Sequence, residues 1–435
     1  MSQPATWPPG PQQTIPLGIN EATLDALRQV SDAFGDIAHI PQPNDRHAVL
    51  VSDPALIRQV LVRKHGQYRK GRGFERVKML LGNGLIVSDG DTWRRSRTMI
   101  QPAFKPRLIH RLTAHMRECA HRRIARWAAV ADAGELLNVT RETSDFALEL
   151  ILISIFGNDV DPQTAVAEDG LFAFLAPHAA RDLEMVKRVR ELRAWILALI
   201  ERRRSQPSDD DDFLNAYLAA TDKNGEPFSD KQLLDEMITL IVAGFETSAN
   251  TLNWMWYLVA GHADVERGLL EEIARVRDGE AASDSDAATA MRYTQYVLEE
   301  TLRLYPPVWL FTRQALAGEV LGDFAIAEGT DIYLSPYLVH RDTRHWSKPA
   351  AFDPARFERE TGSGAPAAFF PFSLGPRRCI GEYFSFLEMK MHILTLLPQF
   401  SLRRISDAEP ACEYAINLRA QGDIYLKPER RETSS

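Results

Sequence analysis

Cys379 is the residue whose setting most favours chemistry in this 435-residue chain. It lies in Phe-Ser-Leu-Gly-Pro-Arg-Arg-Cys-Ile-Gly, residues 372–381. Apolar residues at helical spacing follow it: Phe386, Leu387, Met391, Ile393, Leu394 and Leu397. The cysteine therefore stands where a glycine-bearing loop enters a helix. Unpaired backbone N–H groups, the positive end of the helix dipole and the charges of Arg377 and Arg378 all favour the thiolate there. Gly375 permits a tight turn, and Gly381 lets something bulky approach the backbone. Such a thiolate can be a nucleophile, a redox centre or a metal ligand. A catalytic cysteine would want a histidine base nearby, and the local sequence offers none.

Three other groupings are candidates. Residues 229–260 open on a Ser229/Gln232 capping box and carry no proline, so one helix of about 45 Å is predicted. Glu246, Asn250 and Asn253 interrupt its apolar positions, which excludes a membrane span. In its middle stands Ala243-Gly244-Phe245-Glu246-Thr247-Ser248, a carboxylate beside a hydroxyl. Glu300 and Arg303 share one face of a helix over residues 295–304 that stops before Pro306-Pro307. Trp93 and Arg97 lie four apart in a helix that begins at Asp91.

The Cys379 stretch resembles the haem-binding loop of the cytochrome P-450 superfamily, Phe-x-x-Gly-x-Arg-x-Cys-x-Gly. Phe372, Gly375, Arg377, Cys379 and Gly381 match its fixed positions. The resemblance implies that Cys379 is the axial iron ligand of haem b, iron protoporphyrin IX. The other groupings resemble family motifs in the family's order. Residues 243–248 resemble the oxygen-binding stretch: Ala243 and Gly244 are implied to lie against the cofactor and its ligand, with Gly244 leaving room. Glu246 and Thr247 are implied to pass protons inward through water. Trp93 and Arg97, followed by Pro102-Ala103-Phe104, resemble the helix that holds a haem propionate, and Arg313 is grouped with the cofactor residues on the same ground. Glu300 and Arg303 resemble the family's buried pair, joined by Arg356 of Phe352-Asp-Pro354-Ala-Arg356-Phe357 in a rigid lock.

Aligned by motif, the substrate pocket is expected from Ile86, Leu240, Ala243, Thr247, Val308, Trp309 and Ile416. Apart from Thr247 these are apolar, which favours a mostly hydrocarbon substrate. The implied fold is mostly α with a small β subdomain, the haem between the long central helix and the cysteine loop. The implied reaction inserts one atom of dioxygen into a hydrophobic lipid, terpenoid or polyketide-like molecule. The chain carries no flavin or iron–sulfur motif, so electrons are expected from a separate ferredoxin or flavodoxin with its reductase. Arg94, Arg95, Lys105, Arg107 and Arg378 are candidates for its basic docking patch. Two alternatives are a peroxide-driven peroxygenase, whose pattern replaces the acid–threonine pair, and a non-catalytic haem sensor.

The elements that position these residues are legible in outline. Residues 1–20 are rich in proline and glutamine and carry no lysine or arginine. They are read as a flexible segment that is neither a signal peptide nor a membrane anchor, ahead of a single catalytic domain over residues 21–435. Residues 48–51 read as a strand, with Asp53 capping a helix that Pro54 opens and that runs to about Arg63. Residues 67–83 read as irregular connection. His115, Cys119 and His121 invite a metal reading, which neighbouring Arg117, Arg122 and Arg123 oppose by repelling a cation. Residues 209–212, four aspartates, read as a solvated loop. A hairpin is expected over residues 324–334, and short strands at residues 400–402, 415–418 and 423–426. The net charge of −8 argues against nucleic-acid binding. Three cysteines make no even disulfide framework, which points to a reducing, cytoplasmic setting; a monomer is expected.

Overall fold

The computed structural model describes residues 6–161, 172, 183–279, 283–360 and 366–432. The chain divides into two compact units. The first comprises Met1–Leu80, Glu299–Cys379 and Ala411–Gln421; the second comprises Leu81–Leu298, Ile380–Pro410 and Gly422–Ser435.

The first unit is built on a five-stranded sheet, in spatial order Ile37–Gln42, Arg46–Val51, Asp331–Leu334, Phe311–Ala315 and Tyr68–Lys70. Asn44 and Asp45 take positive φ in the turn joining the first two strands, a conformation that short polar side chains tolerate. Arg46–Val51 pairs in parallel with Asp331–Leu334, and the other neighbours are antiparallel. The helix Glu21–Phe34 begins where the Asn20 side chain accepts from the Thr23 N–H and ends at Gly35, φ 84°. Its Leu27 and Val30 pack with Ala38, Ile40, Ala48, Leu50 and Tyr333.

From Thr6 onward the opening segment makes contacts within this unit, where three other expectations are corrected. The Ala325 N–H donates to the Thr6 carbonyl at 3.0 Å, the Ile15 N–H to Pro41 at 3.0 Å, and the Trp7 ring lies 4.4 Å from that of His39. Residues 67–83 contain the strand Tyr68–Lys70 and the helix Phe74–Leu81; the strand exists because Phe311–Ala315 offers an edge, which no local pattern announces. The hairpin lies earlier than expected, Glu319–Leu321 against Phe324–Ile326, and Asp331–Leu334 joins the large sheet. Residues 415–417 form the turn between Cys412–Tyr414 and Leu418–Ala420.

The second unit is mainly helical. Asp230–Val259 packs along Val139–Phe156, and Glu382–Leu396 packs on Thr113–Asp132. Ser229 and Gln232 form the capping box at the start of the long helix. A small sheet orders Leu137–Asn138, Tyr425–Arg430 and Phe400–Arg404. The aspartate run is not simply solvated. Asp212 caps the helix Phe213–Ala219 and, with Asp159 and Asp210, surrounds the buried Arg203 guanidinium. Among the described residues no helix is long and apolar enough to cross a membrane.

Candidate active site

In the first unit the cysteine loop is shaped by one close approach. Gly375 has φ 71°, and a Cβ there would lie 2.2 Å from the Leu61 carbonyl oxygen. Glycine is thus required both by conformation and by space. The short 3-10 turn Gly375–Arg377 follows, and the Cys379 N–H donates to the Phe372 carbonyl at 2.9 Å, closing the loop. Cys379 is exposed, three residues before the helix Glu382–Leu396, which Gly381 caps. Cys119 is the contrast: burial pushes its thiol up to about 12, and it belongs to the packed core. Among the described residues no cluster of three or more metal-ligating side chains exists. An exposed thiol in a loop that enters a helix is a soft donor suited, as the thiolate, to haem iron, and the loop fits that group.

The lock lies in the same unit. Glu300 and Arg303 are fully buried on the helix Arg292–Leu304, and Arg356 is nearly so. Arg303 donates through Nε and a terminal nitrogen to the two carboxylate oxygens at 2.7 and 2.9 Å. Arg356 Nε donates to the same carboxylate at 3.0 Å, and the Asp353 N–H at 2.9 Å. The remaining Arg303 donors reach the carbonyls of His340, Pro349 and Ala351. Arg313 is also buried, with one terminal nitrogen donating to the Thr312 carbonyl at 2.9 Å.

Of the expected pocket residues in this unit, Val308 and Ile416 are 37% and 55% exposed, rare values for large apolar side chains here. Two bonds join their segments: the Leu418 N–H donates to Pro307, and the Trp309 indole to Ala415, both at 2.8 Å. Trp309 is fully buried against the Tyr414 ring, and its indole bond ties it to the late hairpin.

In the second unit, burial along the long helix has a pattern that sequence alone does not reveal. Leu233 to Thr239 and Thr251 to Val259 are buried without a break. Between them Leu240, Val242, Ala243, Gly244, Glu246, Thr247 and Asn250 are partly accessible. Leu240, Ala243 and Thr247 recur at helical spacing and share that open face. The Thr247 hydroxyl donates to the Ala243 carbonyl at 3.0 Å. The space left by glycine at Gly244 serves helix packing: a Cβ there would lie 2.7 Å from the Ile151 side chain. Phe245 is buried. On Gly90–Ile100, Trp93 is buried and Arg97 half-buried, and Ile86 is half-buried ahead of that helix.

Two acids escaped the sequence reading. Glu388, on Glu382–Leu396, is buried; its Oε1 accepts from the Ser248 hydroxyl, while Oε2 has no hydrogen-bond partner among the described residues. Burial pushes its carboxyl up to about 8, the serine bond opposing only in part. Glu236, on the long helix, is pushed up to about 7 by burial. The available signal was an acid in a largely apolar helical run, Glu388 within residues 386–394, which also holds Lys390 and His392.

A protein-family comparison matches residues 7–416 to the cytochrome P450 family. The chain therefore belongs to that family, with haem b as its cofactor and oxidoreductase chemistry as a monooxygenase. It is 32% identical to cyclooctatin synthase of Streptomyces melanosporofaciens over 92% of this chain and 90% of that protein. It is 30% identical to pentalenene oxygenase of Streptomyces avermitilis, over 87% and 86%. In fold it is similar to a crystal structure of a cytochrome P450, TM-score 0.86 at 21% identity, covering 99% of this chain and 100% of that one. The haem domain of cytochrome P450DA is also similar, TM-score 0.82 at 23% identity, covering 99% of each.

Proposed function

We propose that this chain is a dioxygen-dependent monooxygenase acting on a hydrophobic terpenoid, with electrons from a separate ferredoxin or flavodoxin and its reductase. The observation that carries the reading is the open face in the middle of an otherwise buried helix, apolar at Leu240 and Ala243 and bearing Glu246 and Thr247. Haem, held through the Cys379 thiolate, supplies dioxygen activation, which electron donation from sulfur favours. Arg377 and the loop N–H groups keep that sulfur anionic. Trp93, Arg97 and Arg313 are the candidates to hold the propionates. Thr247 offers a hydroxyl that can leave its backbone carbonyl to hold a proton, and Glu246 supplies the adjacent acid. Leu240, Ala243 and Ile86 give the second unit an apolar lining that leaves charged or sugar-like molecules without partners. Relatives named for cyclooctatin and pentalenene support a cyclic terpenoid over a fatty acid or polyketide.

Docking of the electron carrier rests on a smaller basic patch than five residues. Arg95 is occupied by Asp222 and the carbonyls of Glu226 and Pro227, and Arg94 by Asp91. Lys105 and Arg107 remain exposed. The acid–threonine pair favours dioxygen over peroxide as the oxidant. The test is turnover of a panel of cyclic terpene hydrocarbons with surrogate ferredoxin, reductase and reduced nicotinamide, beside hydrogen peroxide alone. Product that depends on electrons and dioxygen is expected. Product from peroxide alone, with none from the electron chain, would overturn the reading.

A further inference from the structure

Asp235 and Glu236, adjacent on the long helix and 5% and 3% exposed, are aimed at one turn of the chain. An Asp235 oxygen accepts from the Asn83 N–H at 3.0 Å, and Glu236 Oε2 accepts from the Leu85 N–H at 2.9 Å. The turn lies directly on the helix. At Gly82, φ 71°, a Cβ would meet Asp235 Oδ1 at 2.0 Å; at Gly84 it would meet Thr239 Oγ1 at 2.2 Å. The Gly84 carbonyl then accepts from the N–H groups of Val87 and Ser88, so Ile86 is carried on a tight turn. We propose that Asp235 and Glu236 are positioning residues, a carboxylate clasp that seats the turn of residues 82–86 on the long helix and so fixes where Ile86 stands.

Alternate N–H groups of a turn accepted by two consecutive side chains need a turn without side chains at the contact, and Gly82 and Gly84 supply it. Replacing either carboxylate by an apolar group would leave a partly buried N–H without its acceptor. The groups facing the clasp come from every packed element. Ser96 of the helix Gly90–Ile100 bonds Glu236, Tyr217 of Phe213–Ala219 interacts with it, and Arg193 of Leu183–Ser205 stands 3.6 Å from Asp235. Arg97 faces Tyr217 in turn.

The clasp titrates, because burial, aided by the Asp235 charge, raises the Glu236 carboxyl from 4.5 to about 7 against the opposing Leu85 and Ser96 bonds. A seated turn thus holds a proton that an opened, solvated one releases. Seating is favoured fully below pH 4.5, and the advantage is lost as pH rises to about 7. Between pH 6 and 8 the open fraction should rise about tenfold.

The consequence for substrate rests on Ile86 lining the pocket, as proposed above; the clasp does not. The test is hydrogen exchange of the Asn83 and Leu85 amides in the haem-loaded protein, corrected for intrinsic base catalysis, together with spectral titration by 4-phenylimidazole. In the unaltered protein, protection at Leu85 should fall about tenfold from pH 6 to pH 8. In Glu236→Gln that dependence should vanish. Ser96→Ala should move the midpoint upward, since that bond favours the ionised form. Protection that ignores pH, or follows it equally in Glu236→Gln, would overturn the clasp. Phenylimidazole affinity should shift with the exchange. Affinity that stays constant while exchange responds would overturn the role of the turn in the pocket.

Discussion

Glu300 and Glu388 are both buried glutamates on helices, and they are provided for in opposite ways. Glu300 accepts from two guanidinium groups and a backbone N–H, so its charge is neutralised and its lone pairs are used. Among the described residues Glu388 has one serine hydroxyl and no paired cation, and burial pushes its carboxyl up to about 8. The difference separates scaffold from chemistry. A saturated ion knot resists change, whereas a neutral acid bonded to Ser248, next to Thr247 on the long helix, can hold a proton within the fold.

The largest effect is expected at the saturated acid. Glu300→Ala leaves two buried guanidinium groups without their carboxylate, at a cost of about 3–5 kcal/mol. Denaturant unfolding and haem content should both fall sharply; normal holoprotein yield would break the distinction drawn above. Next comes Gly375→Ala, where a positive φ and the Leu61 carbonyl both oppose a methyl group. A loss of about 1–3 kcal/mol is expected, with reduced haem retention by absorbance.

Glu388→Gln sharpens the comparison through pH. A carboxyl raised from 4.5 to about 8 contributes stability that is fully present below pH 4.5 and is lost as pH rises to about 8. The variant should lose that slope, so thermal unfolding from pH 5 to 9 should be flatter than in the parent protein. Equal slopes would remove Glu388 as a proton holder. Smallest in stability is Thr247→Ala, which gives up only a bond to the Ala243 carbonyl. Haem content should hold, while product per reduced nicotinamide falls several-fold and hydrogen peroxide accumulates. Unchanged coupling would take Thr247 out of proton delivery.

What the sequence made legible follows the range of the interactions. The cysteine loop, the capping box at Ser229 and the Glu300–Arg303 spacing are local, and each can be read within ten residues. The edge strand Tyr68–Lys70 depends on a partner more than two hundred residues away, so periodicity could not announce it. Trp309 shows the same limit, because its indole bond to Ala415 joins segments about a hundred residues apart, which no local pattern announces. Glu236 and Glu388 escaped because a charge on a buried helix reads as noise until its neighbours are known.

Every proposed role in the site depends on the Cys379 thiolate as the ligand of haem iron. The most direct measurement is the absorption spectrum of the reduced, carbon-monoxide-bound protein, compared between the parent chain and Cys379→Ser. The parent should show the red-shifted Soret band of a thiolate-ligated haem, and the variant should lose it. Survival of that band in Cys379→Ser would contradict the assignment and move the site elsewhere.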